Sequence, residues 1–171
     1  MTHILTYDQI DRQQWSELVR TSETGTWFQS PEAYDFYASL PELMEPFVYG
    51  VESDGKLCAV CVGYVTKERS AVKQFFTRRA IIIGGVAVGN DCPNEEVKLR
   101  LSTLNFQLST GANAPIYIET RNFNDYSAWK EAFEAAGFSY KPHLNFHVDP
   151  YSNHLSDNRK RQLKKSDAVV S

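Results

Sequence analysis

The sequence predicts a mixed α/β domain, and three observations predict it. Segments with strand character are joined both by a tight turn and by long connections. Between them lie segments of helical period with start and stop residues of their own. Their order is strand, two helices, three strands, helix, strand, helix, strand, so hairpins and crossovers mix within one sheet. The 171 residues, 42% apolar and 23% charged, suffice for one well-filled core. No repeat, low-complexity tract or linker precedes Asp149-Pro150. Residues 1–150 are therefore expected to form one domain, and residues 151–171 a separate basic helical segment.

His3 to Tyr7 predicts a first strand, and Asp8 to Arg20 a helix that turns Trp15, Leu18 and Val19 inward. Ser30-Pro31-Glu32 is a helix start: a capping hydroxyl, a proline whose missing N–H costs nothing at the first position, and an early acid facing the positive helix end. This second helix should run to about Ser39. Phe47–Ser53 and Lys56–Lys67 flank Asp54-Gly55, which readily takes the positive φ of a two-residue hairpin turn. The apolar run Ala80–Val88 predicts a fourth, doubly covered strand. Asn94 caps a helix to about Ser109, with Val97, Leu101, Leu104 and Leu108 on one face and Gly111 beyond it. Pro115–Thr120 reads as strand five. A helix after Asn124-Asp125 should bury Tyr126, Trp129 and Phe133 and end at Gly137, and Tyr140–Val148 reads as strand six.

Charge is unevenly spread. Residues 153–171 hold five of the 18 Lys/Arg and two of the 21 Asp/Glu, so the preceding body has six more acids than bases. A uniformly basic nucleic-acid binder is excluded, since phosphate neutralisation supplies most of such a protein's affinity. No stretch approaches the roughly 20 apolar residues of a membrane span, and the N-terminus does not read as a signal peptide, so a cytoplasmic location is expected. Cys58 and Cys61 form a C-x-x-C, but on a strand residues three apart face opposite ways and no second pair exists. Buried thiols are expected rather than a metal site. His143, Asn145 and His147 share a face of strand six without a clear third ligand.

The order of elements, with Glu134-Ala135-Ala136-Gly137-Phe138 running straight into a strand, resembles the GNAT acyltransferase fold: a mixed, largely antiparallel sheet flanked by helices. That resemblance implies a coenzyme A pyrophosphate loop after the fourth strand, with a glutamine- or arginine-x-x-glycine-x-glycine/alanine pattern offering backbone N–H groups. The chain departs from it. Val88-Gly89-Asn90-Asp91-Cys92-Pro93-Asn94-Glu95-Glu96 loses a donor at Pro93 and sets three carboxylates where a pyrophosphate would lie. No cofactor is therefore expected.

A closer resemblance is to the Fem family of aminoacyl-tRNA-dependent peptidyltransferases, built as two GNAT-like halves. It is carried, in order, by Thr26-Trp27-Phe28-Gln29-Ser30, Gly84-Gly85-Val86, Tyr117-Ile118-Glu119, Asn124-Asp125, Ala136-Gly137-Phe138 and Leu144-Asn145-Phe146-His147-Val148-Asp149. It covers nearly the whole chain as a first half. It implies a bacterial, cytoplasmic protein that moves an aminoacyl group from charged tRNA to a peptidoglycan precursor amine. The basic segment 151–171 resembles the start of the second half, the rest of which, with much of the reactive cleft, would be missing, leaving this half inert alone. Where some family members place a diphosphate-binding lysine, this chain has Tyr34, Asp35, Phe36 and Tyr37.

Candidate substrate contacts are Tyr34 and Tyr37, which can stack on a sugar or peptide although a pair at that spacing more often serves the core; Gly84 and Gly85, which allow close backbone approach or a strand-end bulge; and Arg159, Arg161, Lys164 and Lys165 of the basic segment, for tRNA or precursor phosphates. Lys67, Arg69, Lys73, Arg78 and Arg79 form a second basic cluster that reads either as a phosphate patch or as a solvated turn. No serine or cysteine sits in a nucleophile motif, so no catalytic residue is assigned. Two other readings stand beside the first: a stand-alone N-acyltransferase using acyl-CoA, and a non-enzymatic RNA-binding or scaffold module.

Overall fold

A computed structural model of the chain describes residues 2–68, 70, 77–90, 114–142 and 161. The chain divides into two compact units, Met1–Lys141 and Pro142–Ser171. In the second, only Pro142 and Arg161 are described, so the helix expected at 94–109, most of strand six and the basic segment apart from Arg161 lie outside the described residues.

In the first unit β1 (Thr2–Thr6) leads through a short 3-10 turn to α1 (Arg12–Thr21), capped by Asp11, whose side chain accepts from the Gln14 N–H. The predicted single helix from Asp8 is thus two pieces: Ile10, extended and 8% exposed, breaks it by turning its side chain into the core. A second 3-10 turn at Trp27–Gln29 precedes α2 (Pro31–Ala38), where Ser30 caps through the Ala33 N–H and proline takes the first position. Strands β2 (Met44–Ser53) and β3 (Lys56–Thr66) form the hairpin, its turn held by positive φ at Asp54 (50°) and Gly55 (81°).

The predicted fourth strand is two strands, β4 (Arg79–Ile83) and β5 (Val86–Val88). Both lie antiparallel on β3: Ala59 to Cys61 face Val88 to Val86, and Tyr64 and Val65 face Ile81 and Ala80. A step of three along β3, from Cys61 to Tyr64, is matched by a step of five, from Ile81 to Val86, so two residues are extra. They are Gly84 and Gly85, both at positive φ, a conformation no extended strand continues through. β6 (Tyr117–Arg121) pairs with β4 in parallel, giving the order β1-β2-β3-β4-β6 with β5 on β3. A 3-10 turn at Ser127–Trp129 and α3 (Lys130–Ala135) follow, and Gly137 closes the helix at φ 89°.

The sheet is covered on both faces. Trp15, Leu18, Ala33 and Tyr37 from α1 and α2 pack on Val48, Leu57, Val60, Val62 and Ala87. Ala136, with the half-buried Trp129, Phe133 and Phe138, packs on Cys58, Ala59, Cys61, Ile82, Val86 and Val88. Cys58 and Cys61 therefore share one cluster, against the alternation expected of the strand. A register shift between Val51 and Glu52 skips Cys58, so one residue fewer than the count implies separates the two faces. Both thiols are free and buried, and burial pushes Cys61 up to about 12.

Candidate active-site cleft

The site lies where the sheet splits. β4 continues toward β6 while β5 stays with β3, and Gly84-Gly85 sits at the fork. Gln29 is fully buried at this point and bonded at both ends of its amide. Its Nε2 donates to the Gly84 carbonyl at 2.6 Å, its Oε1 accepts from the Thr26 N–H and hydroxyl, and its own carbonyl accepts from Trp15 Nε1. From the other side Tyr126, 9% exposed, donates to the Val86 carbonyl at 2.7 Å and reaches the Gly84 carbonyl at 3.2 Å. Burial pushes the Tyr126 phenol up to about 12, so it remains a donor at neutral pH. Neither glycine tolerates a side chain. A Cβ at Gly84 would lie 2.6 Å from Thr26 Oγ1, and one at Gly85 would lie 2.5 Å from Asn122 Oδ1.

The edge of β5 turned away from β3 is engaged as well. The Val88 N–H donates to Ser22 Oγ and Thr24 Oγ1, the Ser22 hydroxyl donates to the Val88 carbonyl at 2.6 Å, and the Thr24 hydroxyl donates to the Val86 carbonyl at 3.0 Å. Just beyond, the Gly89 N–H is bonded to the Cys58 carbonyl. An extended amide-bearing chain binds a strand edge through such outward groups. Here two loops already hold them.

The sequence-predicted contacts fall in different places. Gly84 and Gly85 are at the fork. Tyr37 is 3% exposed inside the α1/α2 cluster, its phenol pushed up to about 12 by burial and its hydroxyl without a partner. Tyr34 is half-buried, its ring stacked on Tyr7 at 4.3 Å and edge-on to Trp15. Arg161 is exposed, while Arg159, Lys164 and Lys165 lie outside the described residues. The carboxylate-bearing loop from Asp91 onward lies outside them too, as do His143, Asn145 and His147. Among the described residues no cluster of three or more His, Cys, Asp or Glu is placed to hold a metal, and no helix is long and apolar enough to cross a membrane. No sequence pattern marks Ser22, Thr24 or Asn122. Ser22 and Thr24 act across 62 to 66 residues of chain, where nothing local announces a partner.

Several solved structures that superpose on this chain are named N-acetyltransferases. The fold is that of the GNAT acyltransferases. Glucosamine-6-phosphate N-acetyltransferase from Arabidopsis thaliana superposes with a TM-score of 0.58 at 14% identity, over 87% of this chain and 99% of that one. Ribosomal-protein-alanine N-acetyltransferase from Brucella melitensis gives 0.52 at 15% identity, over 88% and 100%. A transcriptional regulator from Bacillus halodurans gives 0.58 at 11% identity, over 86% and 100%. No protein-family model matches the sequence, and no curated protein does. Within the GNAT fold, the described residues do not fit coenzyme A at the fork. The outward Val88 N–H and the Val86 and Val88 carbonyls of β5, which an amide-bearing arm would use, are bonded to Ser22, Thr24 and Tyr126.

Proposed function

We propose that this chain is a GNAT-fold half of a Fem-like transferase, which moves an aminoacyl group from charged tRNA to a precursor amine. The observation that carries this reading is the engaged edge of β5: an acyltransferase sheet whose fork is filled by its own side chains suits an acyl donor held elsewhere. The ordered run of Fem-like residues adds to it. The reaction needs no covalent enzyme intermediate. The amine attacks the aminoacyl ester carbonyl, the tetrahedral intermediate collapses with loss of the tRNA hydroxyl, and orientation with oxyanion stabilisation supplies the rate. In this reading the fork region is a rigid scaffold, the basic segment around Arg161 meets phosphates, and the reacting groups come from a second half.

A second reading, a stand-alone N-acyltransferase using acyl-CoA, is favoured by the neighbours named N-acetyltransferases, whose whole length the chain covers. It requires Ser22, Thr24 and Tyr126 to withdraw from β5. Titration calorimetry with acetyl-CoA separates the two. The Fem-like reading expects no heat at millimolar ligand, and expects the reading frame past Ser171 to encode a second GNAT-like half whose joined product transfers the aminoacyl group. Micromolar binding of acetyl-CoA would sink that reading in favour of the second.

A further inference from the structure

At the opposite end of β4 from the glycine fork lies an open groove of about 650 Å³, within the size range of small-ligand sites. β3 ends there, β4 and β6 begin there, and the chain enters β2 beside it. The register sets Tyr64 across from Ile81 and Arg79 beside Tyr117, so two phenol rings and a guanidinium belong to adjacent strands around one apolar floor. Three of the seven large hydrophobic residues left exposed among the described residues border this groove: Leu43 at 54%, Ile116 at 65% and Tyr117 at 53%. Exposed apolar side chains gathered in one place, unlike scattered ones, mark a surface that is covered part of the time.

Two cations of the groove, Arg79 and Lys67, meet no carboxylate among the described residues. Arg78 pairs with Glu45 at 3.1 Å, whereas the guanidinium of its neighbour Arg79 bonds to no acceptor among the described residues. Lys67 Nζ donates to the Pro41 carbonyl, a neutral partner that leaves its charge uncompensated. Against these two cations the described lining sets one carboxylate, Glu68. The local excess of positive charge stands in a body rich in acids. Tyr64 and Tyr117 have phenol hydroxyls bonded to nothing among the described residues. Tyr37, whose ring centroid is 4.8 Å from that of Tyr64, carries a buried hydroxyl without a partner.

We infer that this groove binds a small ligand with a flat apolar body and one oxyanion. The body would lie against Tyr64, Tyr117 and Ile116, and the oxyanion would meet Arg79, with Lys67 adding charge. Guanidinium pairs a planar oxyanion through two parallel bonds, and an aromatic face gives a flat ring its stacking partner. The shared chemistry is a phosphate or a carboxylate on a planar ring, and the inference does not depend on the acyl-transfer reading.

The test is calorimetry of the full chain with AMP as the phosphate probe and indole-3-acetate as the carboxylate probe, with adenosine and inorganic phosphate as controls. At least one probe is expected to bind with a dissociation constant below millimolar, and more tightly than either control; the tighter probe names the anion. Arg79→Ala is expected to weaken that probe by about tenfold or more while leaving adenosine nearly unchanged. Tyr117→Ala is expected to weaken AMP and adenosine alike, by about fivefold or more. Both positions are exposed, and unchanged circular dichroism would confirm that the variants fold. If neither probe binds, or if Arg79→Ala binds as well as the parent, the inference is overturned.

Discussion

Single side chains at the fork carry unequal shares of it, and their hydrogen bonds rank them. Tyr126→Phe removes one donor, yet both carbonyls it serves keep another, Thr24 for Val86 and Gln29 for Gly84. The expected loss is about 1 kcal/mol, that of a bond removed without orphaning its partner. Gln29→Leu keeps the volume but strips the acceptor from two Thr26 groups and the donor from Gly84. The Gly84 carbonyl keeps Tyr126 as a donor, but the part-buried Thr26 N–H and hydroxyl both lose their acceptor, and about 2–4 kcal/mol should be lost. Urea denaturation of the two variants checks the order, and equal losses would show that the network is not organised as described. At this scale the sequence is partly legible. Gln29 lies in a family-like motif and helical spacing predicts a buried Tyr126, but their meeting at one carbonyl spans 55 and 42 residues, a proximity that only the folded sheet creates.

Elements are legible where local chemistry decides them and illegible where register does. The Asp54-Gly55 hairpin, the Ser30-Pro31 start of α2 and the Gly137 stop each need a particular backbone angle or cap, and each is where the residues put it. The fork is different, because apolar residues continue on both sides of Gly84-Gly85 and the run reads as one strand. Cys58 departs from the expected alternation for the same reason, since a skipped residue changes no composition. The glycines separate two costs experimentally. Gly55→Ala meets nothing within 4 Å and carries only the left-handed conformation at φ 81°, worth about 1–2 kcal/mol. Gly84→Ala and Gly85→Ala carry a similar φ plus contacts of 2.6 and 2.5 Å with half-buried partners held in the fork, and should cost several kcal/mol more or prevent folding. Thermal denaturation of the three variants measures the difference, and a Gly84→Ala variant as stable as Gly55→Ala would mean the fork has room to spare.

For the whole molecule, the fold class follows from the order of elements, because hairpins joined to crossovers leave few sheet arrangements. The groove at the start of β4 does not, being assembled from pieces of four strands and their connections, of which sequence marks Lys67 and Arg79 only as basic residues in a turn and Tyr117 only as part of a family-like run. What the assembled core adds is a set of acidic groups held in their neutral form. Burial raises Tyr37 and Tyr126 to about 12 from an ordinary value of 10, and Cys61 to about 12 from 9. Each folded value lies above its unfolded one, so the folded state keeps protons that the unfolded state releases. Stability is therefore fully present below about pH 9 and falls as pH rises toward 12, since each tenfold difference in proton affinity between the two states is worth about 1.4 kcal/mol. Urea midpoints should be flat through neutral pH and drop steeply above pH 10, with the share of phenolate absorbance that belongs to Tyr37 and Tyr126 appearing only with unfolding. The Tyr37→Phe variant removes one of these groups, and with it a hydroxyl that bonds to nothing in the core. It should be at least as stable as the parent at pH 7 and lose less between pH 10 and 12. If its alkaline decline matched the parent's, Tyr37 would ionise as freely in the folded protein as in the unfolded chain, contrary to its burial among the side chains of α1, α2 and the sheet.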